Sequence, residues 1–129
     1  MFDAMLNGRI DTEGLEFDYF MADIEELNTS LTNGGGPNVS KASYAIVPDI
    51  KDRYKLLKSG SALGSGNGPL LVTASENADL TDYGMRIAVP GEKTTANLLM
   101  TRLYPHLSDK SPMLFSEIMD AVGRGLYDA

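Results

Sequence analysis

Thr94 and Thr95 are the residues whose placement points most directly to chemistry. They follow a short apolar run, Ile87-Ala88-Val89, and the turn-forming pair Pro90-Gly91, and an apolar helical pattern continues from Ala96 through Tyr104. The order is strand, tight turn, helix start. A helix start leaves backbone N–H groups without partners and carries the positive end of the helix dipole, so it suits a carboxylate or phosphate. The same residues also describe an ordinary N-cap, in which the Thr94 hydroxyl accepts from the N–H of Ala96 or Asn97.

Two further segments fall where ligands collect in parallel sheets, beyond the carboxyl ends of strands. Lys41-Ala42-Ser43 supplies a positive charge and a hydroxyl, and Ser59 to Gly68, SGSALGSGNG, supplies glycines that allow close backbone approach. That loop lacks the Gly-Lys-Ser/Thr ending of a nucleotide-binding loop. Taken singly, the lysine reads as solvated and the glycines as a turn. Taken with the threonines, they describe a site for a small polar anion. His106 is the single histidine. It falls at the far end of the helix that the threonines begin, about 15 Å away for a helix of roughly ten residues, and is expected to be a surface or helix-end residue. Asp11, Glu13, Glu25, Glu26, Asp49 and Asp52 sit in turns or first helical turns, where capping accounts for them. No metal-ligand spacing appears.

The chain that must position these groups has 129 residues, 43% hydrophobic and 22% charged, as in a soluble globular protein. A net charge of −7 argues against a nucleic-acid partner, and the one basic cluster (Lys51, Arg53, Lys55, Lys58) is interrupted by Asp52. Without cysteine there is no disulfide framework and no thiolate chemistry. No apolar run approaches a membrane span and nothing at the start reads as a signal peptide, so a cytoplasmic location and no membrane partner are expected.

Alternation at Leu15, Phe17, Tyr19 and Met21 predicts a strand. Asp23 and Glu26 then form a capping-box pattern before a helix with Ile24, Leu27 and Leu31 on its buried stripe, ended by Gly34-Gly35-Gly36-Pro37. A short strand is expected at Val39, and a brief helix carries Tyr44, Ile46 and Val47 up to Pro48. Leu70-Leu71-Val72 reads as a buried strand. Ala96, Leu99 and Leu103 are the expected inner face of the helix after Thr95. A strand is expected within Pro112 to Phe115, then a helix capped by Ser116, with Ile118, Met119 and Val122 apolar and its end near Gly123. Strands alternating with helices at this spacing predict an α/β architecture with largely parallel sheets. The polar stretch 74–83 is the expected boundary between two lobes. Apolar periodicity from Phe2 to Ile10, with Gly8 as a C-cap, begins inside a helix, and Leu126 to Ala129 reads as the lead-in to a strand. An internal piece of a larger protein is therefore expected.

The segments Phe2–Asn28, Ser40–Ala45 (SKASYA), Asp52–Val72 (with SGSALGSGNGPLLV) and Arg86–Leu99 (RIAVPGEKTTANLL) together resemble the 1,4-dihydroxy-6-naphthoate synthases. The resemblance runs nearly end to end. It implies a two-lobed fold like the second type of periplasmic binding protein, incomplete in this chain. Residues 1–73 would be part of the first lobe without its first strand, 74–83 the linker, and 84–129 part of the second. It implies a lyase of menaquinone biosynthesis that cleaves cyclic dehypoxanthine futalosine to 1,4-dihydroxy-6-naphthoate, with no cofactor or metal. By motif position, Lys41, Ala42 and Ser43 would bind substrate from the first lobe, and Thr95 and Ala96 from the second. The family's opening strand and Pro-Asn-Asp-Thr turn have no counterpart here. Its general-base histidine lies in an Ile-Ile-His-Glu strand expected beyond Ala129, so no catalytic residue is expected among these 129. The sister enzyme chorismate dehydratase, or a solute-binding protein for a carboxylated small molecule, would carry much of the same pattern.

Overall fold

A computed structural model describes residues 2–62, 64–66 and 68–129; the Gly-rich loop 59–68 is thus described only in part, with Leu63 and Asn67 outside the described residues. The order of elements is α1 (Asp3–Leu6), α2 (Ile24–Asn33), a 3-10 turn (Tyr44–Ile46), α3 (Val47–Ile50), β1 (Ile87–Val89), α4 (Thr95–Leu103), β2 (Lys110–Pro112) and α5 (Phe115–Gly123).

The centre is a strand–helix–strand unit. β1 and β2 pair in parallel with Ile87 opposite Lys110 and Val89 opposite Pro112. All three residues of β1 are buried, as expected for a parallel strand covered on both faces. Ile87 and Val89 join Met85, Met100 of α4, Leu107 and Ala129 in one apolar cluster, against which Leu71, Leu80 and Tyr104 pack. α5 packs on β1 and buries Ala121 and Val122. Residues 128–129 lie along the edge of β1 opposite β2: Ala88 N–H donates to the Ala129 carbonyl at 2.8 Å and Asp128 N–H to the Arg86 carbonyl at 2.8 Å. The expected strand lead-in at 126–129 thus runs beside the central strand.

A second, smaller cluster joins Leu31 of α2 to Ile46 and Ile50, with Ala42 and Tyr54 packed on it. Asp23 caps α2 by accepting from Glu25 N–H at 2.9 Å, and Gly34 ends the helix at φ 85°, a left-handed conformation that glycine adopts without cost. Arg53 donates to the carbonyls of Leu31 and Thr32 at 3.0 and 2.7 Å, adding to the Gly34 N–H bond that Leu31 already accepts and engaging the Thr32 carbonyl in the last turn of α2.

Several local expectations are corrected. Residues 15–21 and 70–73 and the region of Val39 form no strand, although their apolar pattern is present. A strand exists only through a partner, and none pairs with them among the described residues; Phe17, Tyr19, Met21 and Leu70 are exposed. Pro48 does not limit the short helix. It stands in the first turn of α3, where its missing N–H removes no hydrogen bond. The inner face of α4 is Ala96, Met100 and Tyr104 rather than Ala96, Leu99 and Leu103: Met100 is 9% exposed, Leu103 70%. Steps of three and four residues both satisfy helical periodicity, and the i+4 stripe is the one turned to β1. The strand expected within Pro112 to Phe115 is shifted to Lys110–Pro112, and α5 begins at Phe115 with Leu114 at its N-cap, so Ser116 lies inside the first turn and caps nothing. No helix of the described residues is long and apolar enough to cross a membrane.

Candidate functional site

Two of the three segments singled out in sequence, Lys41–Ser43 and Thr94–Ala96, meet at one place, and α2 joins them; no hydrogen bond ties the described residues of 59–68 to either. Glu25, Asn28 and Thr32 are spaced i, i+3 and i+7, which puts them on one helical stripe. All three grip Lys93. Both oxygens of Glu25 accept from Lys93 N–H at 3.0 and 3.1 Å, Asn28 Nδ2 donates to the Lys93 carbonyl at 3.2 Å, and Lys93 Nζ donates to Thr32 Oγ1 at 2.7 Å. Gly91 makes room for this contact. It has φ 144°, and a Cβ there would come within 2.6 Å of Glu25 Cγ.

Asn28 also reaches the other segment. It is fully buried, its Oδ1 accepts from Ser43 N–H at 2.9 Å, and its Nδ2 donates to Ser43 Oγ at 2.9 Å. A further link runs directly between the segments: Ala45 N–H donates to Thr95 Oγ1 at 3.3 Å. Ser43 and Thr95, far apart in sequence, are therefore held beside each other.

Thr94 takes the N-cap role. It is 4% exposed, its hydroxyl donates to the Gly91 carbonyl at 2.8 Å and accepts from Asn97 N–H at 3.3 Å. The cap reading of this threonine and the ligand reading of its neighbour are thus compatible, because the two hydroxyls have different partners. Among the described residues the N–H groups of Thr95 and Ala96 donate to no acceptor. Ala42 packs on the Leu31 cluster, whereas Lys41 is exposed.

The hydroxyls have a defined sense. Each of Ser43 Oγ and Thr95 Oγ1 already accepts one hydrogen bond from the protein, and neither O–H has an acceptor among the described residues, so each can donate to a ligand. Two hydroxyls with unengaged O–H groups and two unpartnered N–H groups can together meet an acceptor such as a carboxylate. No group of three or more His, Asp or Glu is placed to hold a metal among the described residues.

His106 stands apart at the other end of α4. Its Nε2 lies 2.7 Å from the Leu80 carbonyl, and the rings of Tyr83 and Tyr104 flank it with centroids 5.3 and 6.3 Å away. Sequence reading missed Asn28 and Lys93 and explained Glu25 as a helix-start acid. The available signal was the stripe itself, polar at 25, 28 and 32 on a helix whose apolar residues mark the face beside it.

Fold and site together define an α/β protein built on a parallel strand–helix–strand unit with a polar site at a helix start. Residues 1–129 match a family model described as menaquinone biosynthesis, and the chain belongs to that family. It is similar to a 1,4-dihydroxy-6-naphtoate synthase of Streptomyces coelicolor, 40% identical over 137 residues that cover 100% of this chain and 46% of that protein. A protein of the same name from Thermus thermophilus is 35% identical over 129 residues, again 100% of this chain and 46% of the relative. A crystal structure of an Archaeoglobus fulgidus protein superposes with a TM-score of 0.85 at 38% identity, over 98% of this chain and 46% of that one. The chain spans about half the length of the curated relatives it matches.

Proposed function

We propose that this chain forms part of a 1,4-dihydroxy-6-naphthoate synthase, a lyase that cleaves cyclic dehypoxanthine futalosine to 1,4-dihydroxy-6-naphthoate. The observation that carries the reading is similarity along the whole chain, at 35–40% identity, to two proteins of that name. The site geometry supports it, because the substrate bears a carboxylate and the site offers hydroxyl and backbone N–H donors without other partners among the described residues. In this reading the Thr95 hydroxyl and the N–H groups of Thr95 and Ala96 hold the carboxylate at the start of α4. The Ser43 hydroxyl approaches from the opposite side with Ala42 behind it, and the exposed Lys41 adds positive charge. The reaction begins with loss of a proton from carbon next to a ketone, and a histidine outside residues 1–129 is the proposed base. The two-lobed binding-protein fold belongs to the same proposal, with lobes at 1–73 and 84–129 and the connection at 74–83.

The test is direct. The complete protein, incubated with cyclic dehypoxanthine futalosine, is expected to release 1,4-dihydroxy-6-naphthoate, detected by mass spectrometry. Dehydration of chorismate with no naphthoate formed would assign the chain to the sister enzyme instead. Tight binding of a carboxylated ligand with no turnover of either compound would make it a binding protein.

A further inference from the structure

We infer that Asn28 is a positioning residue that sets the polarity of the Ser43 hydroxyl, occupying one of its lone pairs and so leaving its proton for the ligand. The inference rests on the proposed function for the identity of the ligand, but its geometry stands independently. Asn28 has 0% exposure and three hydrogen bonds, and two of them leave no freedom in how its amide is turned. The Lys93 carbonyl can only accept, so the atom 3.2 Å from it must be the NH2 group. The Ser43 N–H can only donate, so the atom 2.9 Å from it must be the carbonyl oxygen. An inverted amide would set carbonyl against carbonyl and N–H against N–H at once. The second hydrogen of Nδ2 is therefore aimed at Ser43 Oγ, 2.9 Å away.

A hydroxyl that accepts from a fixed donor keeps its hydrogen for another partner. No other described residue takes it. The Ser43 O–H is thus free to donate to an acceptor held between Ser43 and the start of α4, and a carboxylate is such an acceptor. The peptide at Lys93 acts as the reference that orients Asn28, and the Glu25 bonds to Lys93 N–H keep that peptide in place.

Asn28→Asp tests the polarity. The substitution keeps the shape but replaces the NH2 donor by an acceptor, so the Ser43 hydroxyl turns inward and donates to it. In the complete protein, kcat/KM for the carboxylated cyclic substrate is expected to fall by roughly 10- to 150-fold, the range for losing a hydrogen bond to a charged group. In a Ser43→Ala background the same change should cost less than about threefold, because the two residues act as one unit. Ile50→Val, a core change in the same lobe, controls for loss of stability and should leave kcat/KM unaltered at a matched fall in Tm. If Asn28→Asp does not fold, Asn28→Ser takes its place, with the same loss of coupling expected. Additive effects of the Asn28 and Ser43 changes would overturn the proposal.

NMR of the Asn28 side-chain amide separates this from the functional reading. Both Nδ2 protons should exchange slowly with solvent, and Ser43→Ala should release one of them. Two rapidly exchanging protons would overturn the proposal whatever the turnover. Slow exchange in a protein that fails to cleave the substrate would sustain the polarity and remove the synthase reading alone.

Discussion

Glu25 and Lys93 lie 68 positions apart in the chain, yet both carboxylate oxygens of Glu25 accept from the Lys93 backbone N–H, at 3.0 and 3.1 Å. The turn after β1 therefore meets a carboxylate of its own chain one step before the helix start proposed to hold a ligand. That contact orders the turn and leaves the N–H groups of Thr95 and Ala96 as the open positions.

The contact makes Gly91 a sensitive position. Its φ of 144° is unfavourable for any side chain, and an added Cβ would press on Glu25, which Lys93 holds in place. Gly91→Ala is expected to lower stability by about 1–3 kcal/mol, the cost of a strained backbone conformation. Urea unfolding of the complete protein measures it. A change under about 0.5 kcal/mol would mean that the turn relaxes freely.

The two threonines should separate. Thr94→Val removes the cap and should cost about 0.5–2 kcal/mol of stability. Thr95→Val removes the outward O–H and should lower kcat/KM roughly 10- to 150-fold. It also leaves Ala45 N–H without its acceptor, so a smaller fall in Tm accompanies the kinetic defect. Unchanged kcat/KM in Thr95→Val together with a large loss in Thr94→Val would place the wrong threonine at the ligand.

His106→Gln in the complete protein should leave turnover within about threefold of wild type, far from the 10²–10⁴-fold contributed by a general base. The ring bridges the Leu80 carbonyl and two tyrosines rather than facing Thr95. Steady-state kinetics with the proposed cyclic substrate give the comparison, and a 10²-fold loss would restore His106 as a base.

Acid should loosen the contact between Arg86 and Asp128. Asp128 accepts from Arg86 N–H, Nε and Nη2, and these hydrogen bonds hold its carboxyl below the usual aspartate range. A lowered folded-state pKa contributes stability that is fully present above the ordinary aspartate pKa and is lost as pH falls through the folded value. Wild-type protein should therefore lose more stability than Asp128→Asn as pH drops below about 4. The difference is small, since both side chains are partly open to solvent. Parallel Tm-against-pH curves for the two proteins would show that the pair carries no acid sensitivity.

What the sequence made legible was local chemistry. The run Ile87 to Val89 is short, apolar and closed by Pro-Gly, and it forms the strand; Thr94 has the side chain and position of a cap, and it caps. Residues 15–21 show what a pattern cannot supply. Phe17, Tyr19 and Met21 alternate as a strand would, but alternation states which faces a strand would have and nothing about its partner. The inner face of α4 was ambiguous for a similar reason, because Leu99 and Met100 are equally apolar and only the angle to β1 selects between them. Asn28 was invisible as a site residue. Its three partners come from segments 15 and 65 positions away, and a buried polar residue announces itself only once those segments are in contact.

The pairing of residues 128–129 with β1 also bears on when this unit can fold. Ile87 is sheltered by Leu107 and Ala129 as well as by α4, so the strand emerges from the ribosome long before its cover exists. Arg86 must wait for Asp128, 42 residues later. Closing a loop of that length demands entropy before any contact rewards it. The apolar strand at the centre is thus made before part of what encloses it. During synthesis, that interval is when its exposed edge is open to a wrong neighbour.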